Sequence, residues 1–210
     1  MKTIQKSPLL SSAVFLVLFF CIFLSFRTNV VTFIDYRTLE WFQDIRTDFI
    51  YTIMDGFAFI GSTNVVVILT IAVIVILVLT RSSWLDIFYT AIVMSMTGIL
   101  NTVAKYSIAR IRPEDFMMVD LSSYSFPSGH TMGAASFYSV LVFLIWKRTD
   151  HRPTRVIMVT FSAVMILLMG ASRVFLGVHY PTDVLGGFFL SGAILTFFYW
   201  LLYNRTPGKM

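Results

Sequence analysis

Six long apolar runs limit what this chain can fold into. A helix needs about 20 mainly apolar residues to cross the hydrocarbon core of a membrane, and about 17 can suffice. The runs that qualify are 9–26, 63–80, 87–104, 131–146, 156–172 and 184–203, of which the fourth and fifth should extend into their flanks. Hydrophobic residues make up 57% of the 210 residues and charged residues 13%, whereas a soluble domain is about half apolar and about a quarter charged. The sequence therefore predicts an all-α integral membrane protein with a six-transmembrane-helix bundle.

The first run, 9–26, resembles a secretory signal because Lys2 and Lys6 precede it. Its apolar core is longer than a typical signal core and no small-x-small cleavage site follows, so we predict a retained helix. The single cysteine, Cys21, lies inside this run. One cysteine can form neither an internal disulfide nor a metal cluster. We expect Cys21 to be a small apolar side chain that faces lipid.

An even number of spans puts both termini on the same side of the membrane. The loop 147–155 reads KRTDHRPTR, and short basic loops stay in the cytoplasm. With the N-terminus inside, nine of the 16 basic residues are internal: Lys2, Lys6, Arg81, Lys147, Arg148, Arg152, Arg155, Arg205 and Lys209. We therefore predict cytoplasmic N- and C-termini in a cell membrane. The net charge of +5 reflects this topology and a cluster of outer cations, and we predict no nucleic acid partner.

Residues 27–62 separate the first two spans and are too charged to cross a membrane. Within them, the run 33–55 repeats apolar residues at helical spacing: Leu39, Phe42, Ile45, Phe49 and Ile53. We predict an amphipathic helix at the outer interface, with Trp41 and Tyr36 at headgroup depth. Such a helix either caps the bundle or acts as a lid or guide for a lipid, and the sequence leaves both open. The chain has no internal repeat or low-complexity tract, so we expect residues 1–210 to form one membrane-embedded domain.

Three polar clusters flank the predicted spans, where ionisable residues are costly and usually functional. The first cluster, KYSIARIRP, ends the third span and contains Lys105 and Arg112. The second, PSGH at 127–130, begins the fourth span, and the third, SRVFLGVHYPTD at 172–183, joins the fifth and sixth. The predicted topology places all three on the outer face. They can therefore form one pocket at the membrane surface.

The residue types in these clusters suit a phosphate group. Lys105, Arg112 and Arg173 are cations, and the planar fork of arginine matches tetrahedral oxyanions. Ser128 and Gly129 lie at a helix start, where unpaired backbone N–H groups form an anion site. Glycine allows the anion to approach the backbone closely. We predict that these five residues bind phosphate.

Two histidines in the same pocket indicate catalysis as well as binding. Proline favours the first turn of a helix, so the sixth span should begin near Pro181. Asp183 can then hold one ring nitrogen of His179 and direct the other at phosphorus as a nucleophile. His130 can protonate the leaving oxygen as a general acid. A single histidine or arginine here would more often be a cap or interfacial residue, and the role of Arg110 stays open.

The three clusters resemble the signature of the type 2 phosphatidic acid phosphatase superfamily, K-x6-R-P, then P-S-G-H, then S-R-x5-H-x3-D. The signature spans residues 105–183, and every position is met: Lys105, Arg112, Pro113, Pro127, Ser128, Gly129, His130, Ser172, Arg173, His179 and Asp183. The resemblance implies a six-helix membrane bundle with its pocket near the outer surface. It also implies metal-independent hydrolysis of a phosphate ester or anhydride, in which His179 becomes a phosphohistidine and His130 protonates the leaving group.

The substrate and cofactor expectations follow from that resemblance and from the residues. No carboxylate cluster accompanies the cations, so we predict no metal and no cofactor. We favour undecaprenyl pyrophosphate as the lipid substrate, because an outward pocket suits recycling of the cell-wall lipid carrier. Phosphatidylglycerophosphate, phosphatidate or a lipid A phosphate is the alternative. A non-catalytic phospholipid-binding or transport protein would not need His179 and Asp183, and an anion pore would carry charges along its spans. The sequence predicts no oligomeric state.

Overall fold

All regular elements in residues 7–204, the part that the computed structural model describes, are helical. The main helices are α1 (Ser7–Ser25), α2 (Asn29–Asp44), α3 (Asp48–Ile60), α4 (Thr63–Leu79), α5 (Trp84–Ile108), α6 (Gly129–Arg148), α7 (Arg152–Phe175) and α8 (Pro181–Tyr199). A 3-10 turn (Glu114–Phe116) follows α5, and α8 continues as a π-helical turn (Trp200–Asn204). Four basic residues used in the topology prediction lie outside the described part: Lys2, Lys6, Arg205 and Lys209.

The helices reproduce the predicted spans. Five of them, α1, α5, α6, α7 and the extended α8, are long and apolar enough to cross a membrane. A sixth span is present if α3 and α4, which meet at a 50° bend, are counted together. Each predicted run falls on one helix, and α6 and α7 extend beyond the short runs 131–146 and 156–172. The predicted all-α, multi-pass membrane architecture is confirmed.

The interfacial segment differs from the single helix expected over 33–55, because the chain breaks between α2 and α3. Thr47 is extended and caps α3 by accepting a main-chain N–H with its hydroxyl. Beside it, Arg46 turns away from the helix axis and donates to the main-chain oxygens of Phe175 and Phe116 at 2.9 Å each. A continuous helix would carry Arg46 past these acceptors, so the tertiary hydrogen bonds favour the break.

The break also divides the predicted apolar stripe. Leu39 on α2 is fully buried and Phe42 packs against the core beside it. On α3, Phe49 is 75% exposed and Ile53 is 40% exposed. Trp41 is exposed too, as expected for a residue at headgroup depth. Only α2 therefore covers the bundle in the way that the stripe predicted.

The bundle is organised around α6, since half of the residues in its membrane-spanning stretch are buried. The main apolar core lies between α6 and its neighbours α1, α5 and α8, and includes Phe19, Val93, Met132, Val140 and Leu190. Large apolar side chains on the outward faces of α1, α4 and α7 are exposed, as lipid-facing residues are in a membrane protein. Cys21 is exposed on α1, which agrees with the lipid-facing position expected for it.

The two ends of the bundle carry different polar clusters. At the C-terminal end of α6, Lys147 donates to Asp86 at 2.5 Å, and Tyr203 donates to the same oxygen at 2.5 Å. The basic loop 147–155 lies at this end. The phosphate-site residues predicted from the sequence lie at the other end of α6, where Ser128 caps the helix by accepting the Thr131 N–H.

Candidate active site

The three polar clusters meet at one end of the bundle. Arg112, in the loop after α5, places its Nη1 3.3 Å from Nε2 of His179. The main-chain N–H of Ser128 donates to the main-chain oxygen of Asp183 at 3.0 Å, which joins the start of α6 to the start of α8. Lys105, in the last turn of α5, donates to the main-chain oxygen of Tyr124 in the loop between α5 and α6. Residues up to 78 positions apart in the chain thus share one pocket.

The turn between α7 and α8 carries the catalytic candidates and depends on a glycine. Gly177 has a φ of +68°, and a Cβ there would lie 1.9 Å from the main-chain oxygen of Phe116. The N–H groups of Val178 and His179 both donate back to the main-chain oxygen of Arg173. This tight turn places His179 close to the last turn of α7. The next helix, α8, then begins at Pro181, as the sequence predicted.

His179 is held at both ring nitrogens and is only 2% exposed. Its Nδ1 lies 3.3 Å from Oδ2 of Asp183 and 3.4 Å from Oγ of Ser125. Its Nε2 faces Arg112. A neutral imidazole that donates its Nδ1–H to a carboxylate keeps its lone pair on Nε2. The nitrogen beside Arg112 is therefore the one that can attack.

The surroundings of His179 keep it uncharged. Burial lowers the pKa of His179 to about 3, because removal from water disfavours the charged ring. The hydrogen bond to Asp183 and its negative charge oppose this shift, while Arg112 and Lys105 add to it. At neutral pH the ring is therefore uncharged, which leaves the Nε2 lone pair available.

Arg112 and Lys105 are fixed by the loop that covers the pocket. Arg112 donates from Nε to the main-chain oxygen of Ser123 at 2.7 Å, from Nη2 to that of Tyr124 at 3.2 Å, and from Nη1 to that of Val178 at 2.5 Å. Lys105 donates to the main-chain oxygen of Tyr124 at 2.7 Å. Cations held in place before a ligand arrives need little reorganisation to stabilise an oxyanion.

Arg173 has an unused donor. It lies in the last turn of α7 and is 6% exposed. Its Nε is buried, and no described residue accepts a hydrogen bond from it. An unpaired buried polar group costs about 1–3 kcal/mol, and such groups are rare in native proteins. The orphaned donor, close to Arg112 and in the same pocket, fits an oxyanion ligand.

The start of α6 combines a cap with an anion site. Ser128 is fully buried, and its Oγ accepts from the N–H and the hydroxyl of Thr131 at 3.4 and 3.0 Å. Its first role is therefore the N-cap, and phosphate binding by its hydroxyl stays a prediction. The N–H groups of Gly129 and His130 lie in the first turn, where a helix offers no acceptor of its own. A Cβ on Gly129 would lie 3.0 Å from Oδ1 of Asn101, so glycine at this position makes room for the Asn101 side chain.

Three further residues complete the site. Ser125 donates its hydroxyl to Oδ2 of Asp183. Arg110, whose role was open, bonds Oδ1 of Asp183 at 2.6 Å and Oδ2 of Asp35 at 2.8 Å. Asp35 is fully buried on α2. Asp35 was missed from the sequence because it lies in the segment interpreted as an interfacial helix. An acid on the apolar side of such a helix is the signal that could have revealed it.

The pocket is built from cations, imidazoles and backbone donors. Among residues 7–204, no three His, Cys, Asp or Glu side chains are grouped to hold a metal ion. Independence from metal stays a prediction, to be tested by chelation.

An apolar groove leads from the side of the bundle to the start of α6. Its volume is about 410 Å³, and its walls come from α4 and α5. Val67 and Ile71 on α4 and Gly98 and Thr102 on α5 line it and are exposed, so it opens sideways, where lipid would lie. Gly129, in the first turn of α6, is among its lining residues. The groove thus joins the lipid-facing surface to the start of α6.

Comparison with known proteins identifies the family that carries this arrangement. Residues 83–207, more than half of the chain, match the PAP2 superfamily. The chain belongs to the PAP2 superfamily. All residues predicted for the site lie within the matched region, whereas the helices α1 to α4 lie before it.

One relative of this PAP2 protein spans most of its length, and another spans about half of it. It is 36% identical over 185 residues to phosphatidylglycerophosphatase B of Bacillus subtilis (strain 168). The aligned part covers 87% of this chain and 90% of that protein. An undecaprenyl-diphosphatase of Sulfolobus acidocaldarius is 28% identical over 106 residues, 46% of this chain and 45% of that protein. The crystal structure of a transmembrane PAP2-type phosphatidylglycerolphosphate phosphatase from Bacillus subtilis matches with a TM-score of 0.86 and 28% identity, over 95% of this chain and 99% of that chain. The protein is accordingly a lipid phosphatase, and the predicted reaction class is confirmed.

Proposed function

We propose that this PAP2 protein is a phosphatidylglycerophosphate phosphatase. The geometry that carries the reaction is the placement of His179, with Nδ1 held by Asp183 and Nε2 facing Arg112. The choice of lipid is supported by the 36% identity to phosphatidylglycerophosphatase B across 90% of that protein. This choice replaces undecaprenyl pyrophosphate, which we favoured from the sequence.

Undecaprenyl pyrophosphate is the second candidate. Its support is the 28% identity to an undecaprenyl-diphosphatase over 45% of that protein. The apolar groove fits either lipid, since acyl and prenyl chains are both hydrocarbon. The two candidates differ in the bond that breaks, a phosphate ester in one and a pyrophosphate anhydride in the other.

In the first step, Nε2 of His179 attacks phosphorus and the bond from phosphorus to the glycerol oxygen breaks. His130 gives its proton to that oxygen, so phosphatidylglycerol leaves as a neutral alcohol at this position. The cations Arg112, Lys105 and Arg173 stabilise the negative charge on the phosphoryl oxygens, because they line the pocket that holds the phosphate. The enzyme now carries a phosphoryl group on His179.

In the second step, water hydrolyses the phosphohistidine. His130, having lost its proton, accepts one from the attacking water, and the bond from phosphorus to Nε2 breaks. Inorganic phosphate leaves and His179 is neutral again. The low pKa of His179 favours this step, because a weakly basic nitrogen is a good leaving group.

The lipid enters from the side. Its chains lie in the groove between α4 and α5, and its headgroup reaches Gly129 at the inner end. This route keeps the chains in an apolar environment while the phosphate moves to the cations. The bundle works as one domain formed by residues 1–210.

The active site faces the outside of a bacterial plasma membrane. The basic loop 147–155 lies at the opposite end of α6 from Ser128, and short basic loops stay in the cytoplasm. Both termini are then cytoplasmic. Protease protection of a tag in the 147–155 loop, in sealed inside-out and right-side-out vesicles, tests this orientation.

Phosphate release by the purified protein in detergent tests the function. Phosphatidylglycerophosphate, undecaprenyl pyrophosphate and phosphatidate are offered side by side, each with EDTA present. We expect phosphatidylglycerophosphate to give a kcat/KM about tenfold or more above the others. His179→Ala should lower turnover to background, and His151→Ala, which changes an exposed loop histidine, should not.

Four other results would change the assignment. Preference for undecaprenyl pyrophosphate would establish the second candidate in place of the first. Equal turnover by His179→Ala and the parent would refute the nucleophile, as would failure to trap a base-stable phosphoryl group on the parent. Loss of activity with EDTA, restored by a divalent ion, would refute the metal-independent reaction.

A further inference from the structure

Asp35 on α2 is a buried carboxylate attached to the start of another helix. It is fully buried. Its Oδ1 accepts the main-chain N–H of Thr182 at 3.1 Å, and its Oδ2 accepts the hydroxyl of Thr182 at 2.6 Å. Thr182 lies in the first turn of α8, immediately before Asp183. An acid rarely stays fully buried without a charged partner, and Arg110 supplies that partner at 2.8 Å.

Arg110 connects this carboxylate to Asp183. Its Nη2 binds Asp35, and its Nη1 binds Oδ1 of Asp183 at 2.6 Å. Its guanidinium lies 4.2 Å from the ring centroid of Phe26 and 4.0 Å from that of Tyr180. With aromatic rings close by and a carboxylate at each end, the planar fork has one orientation. The guanidinium is therefore a rigid link between two carboxylates.

The link determines how Asp183 faces His179. A carboxylate can rotate about its last bond, and rotation of Asp183 would move Oδ2 away from Nδ1 of His179. Arg110 holds Oδ1, while the Tyr180 N–H and the Ser125 hydroxyl hold Oδ2, so Oδ2 stays 3.3 Å from that nitrogen. Asp35 holds Arg110 in turn. In the described structure Arg110 donates hydrogen bonds to Thr182, Asp183 and Asp35 and none to His179, so its influence on the ring passes through the carboxylate.

We propose that Arg110 and Asp35 are a positioning pair that fixes the carboxylate of Asp183, and through it the attacking nitrogen of His179. The proposal rests on the proposed function, in which His179 is the nucleophile. The pair also joins α2, which lies outside the matched family region, to the reacting group. Neither residue touches the phosphate.

Four variants and the parent test the pair with phosphatidylglycerophosphate as substrate: Arg110→Gln, Arg110→Lys, Asp35→Asn and the control Arg37→Gln. Arg37 is on α2, has a side chain that is 67% exposed and pairs with Glu40 at the surface. We expect Arg110→Gln to lower kcat by about 100-fold, the effect of misplacing a reacting group by about 1 Å. KM should stay within about threefold, because the groups that bind phosphate are unchanged.

Two readouts separate positioning from general stability. Arg110→Lys should recover only part of kcat, because one ammonium cannot bond two carboxylates as a fork does. The acid limb of kcat/KM should move to higher pH in Arg110→Gln, since the unneutralised Asp183 favours protonated His179. The other groups that face His179 are Arg112, Lys105 and His130, and these variants leave all three in place.

The outcomes are distinct. A folded Arg110→Gln with the kcat and acid limb of the parent would overturn the proposal. Loss of the folded state in all three pair variants, measured by thermal unfolding in detergent, would also overturn it by making the network purely structural. A parent that releases phosphate from none of the lipids would refute the proposed function itself, and a change in Arg37→Gln as large as in Arg110→Gln would overturn the assignment to this pair.

Discussion

Asp183→Asn removes one charge from the site and keeps the size of the side chain. Asp183 is fully buried, and its Oδ2 accepts from the Tyr180 N–H at 2.9 Å, from Ser125 and from His179. Its Oδ1 accepts from Arg110. An amide has one oxygen, so asparagine can accept hydrogen bonds at only one of the two positions, Oδ1 or Oδ2. With its oxygen in the Oδ2 position, the three donors there keep their acceptor and the amide N–H₂ faces Arg110.

The expected loss of rate follows from the charge that develops on the ring. Attack by Nε2 leaves positive charge on His179, and Oδ2 of Asp183 lies 3.3 Å from Nδ1. At an effective dielectric constant of about 20, unit charges at this distance attract by about 5 kcal/mol. Each 1.4 kcal/mol or so changes a rate tenfold, so kcat should fall by about 10³- to 10⁴-fold. KM should change little, because this charge develops only after the substrate has bound.

Phosphate release from phosphatidylglycerophosphate in detergent, with EDTA, measures both constants. Thermal unfolding shows whether the variant is folded, which we expect because Arg110 keeps Asp35 as a partner. Asp44→Asn, which removes an exposed acid at the end of α2, is the matched control and should behave as the parent. A folded Asp183→Asn with kcat within about tenfold of the parent would refute the orienting role.

Three further changes test other parts of the site. Ser125→Ala should lower kcat by about tenfold, because it removes one hydrogen bond to a charged group; an unchanged kcat in the same assay would contradict this. Gly177→Ala should destabilise the fold by about 2 kcal/mol or more, since φ is +68° and a Cβ would lie 1.9 Å from a main-chain oxygen. Thermal unfolding measures this loss of stability. Gly56→Ala is the control, because a Cβ at Gly56 would meet nothing within 4 Å. Equal unfolding midpoints for the two variants would refute the strain expected at Gly177. Because the pKa of His179 is about 3, protonation should inactivate the nucleophile only as pH falls through about 3. Arg112→Gln removes a charge that lowers this pKa, so the acid limb of kcat/KM should move to higher pH, and an unmoved limb would contradict the electrostatics.

Much of the fold could be predicted because a membrane leaves few choices. Apolar runs of sufficient length must be helices, and local chemistry set two important helix starts, at Gly129 and Pro181. The break before Thr47 could not be predicted. It depends on Arg46 reaching main-chain oxygens 129 and 70 residues away, and no local pattern contains that information.

The site could be predicted only as far as spacing reveals residue types. The cluster motifs identified His179 and Asp183 because a carboxylate four residues after a histidine at a helix start can reach its ring. Asp35 is different, because its partner Thr182 is 147 residues away. Ser128 shows another limit: one serine at a helix start suits both capping and anion binding, and the structure shows the cap.

The alternatives of cap and lid for the interfacial segment can now be compared physically. Lifting α2 would take Asp35 away from Arg110 and Thr182, and breaking a buried ion pair costs about 3–5 kcal/mol. About 1.4 kcal/mol is a factor of ten in population, so the lifted state would be present in fewer than about one molecule in a hundred. The buried pair therefore favours α2 as a cap that stays in place. A fixed cap requires another route for the lipid, and the groove between α4 and α5 provides one that reaches Gly129 without any movement of α2.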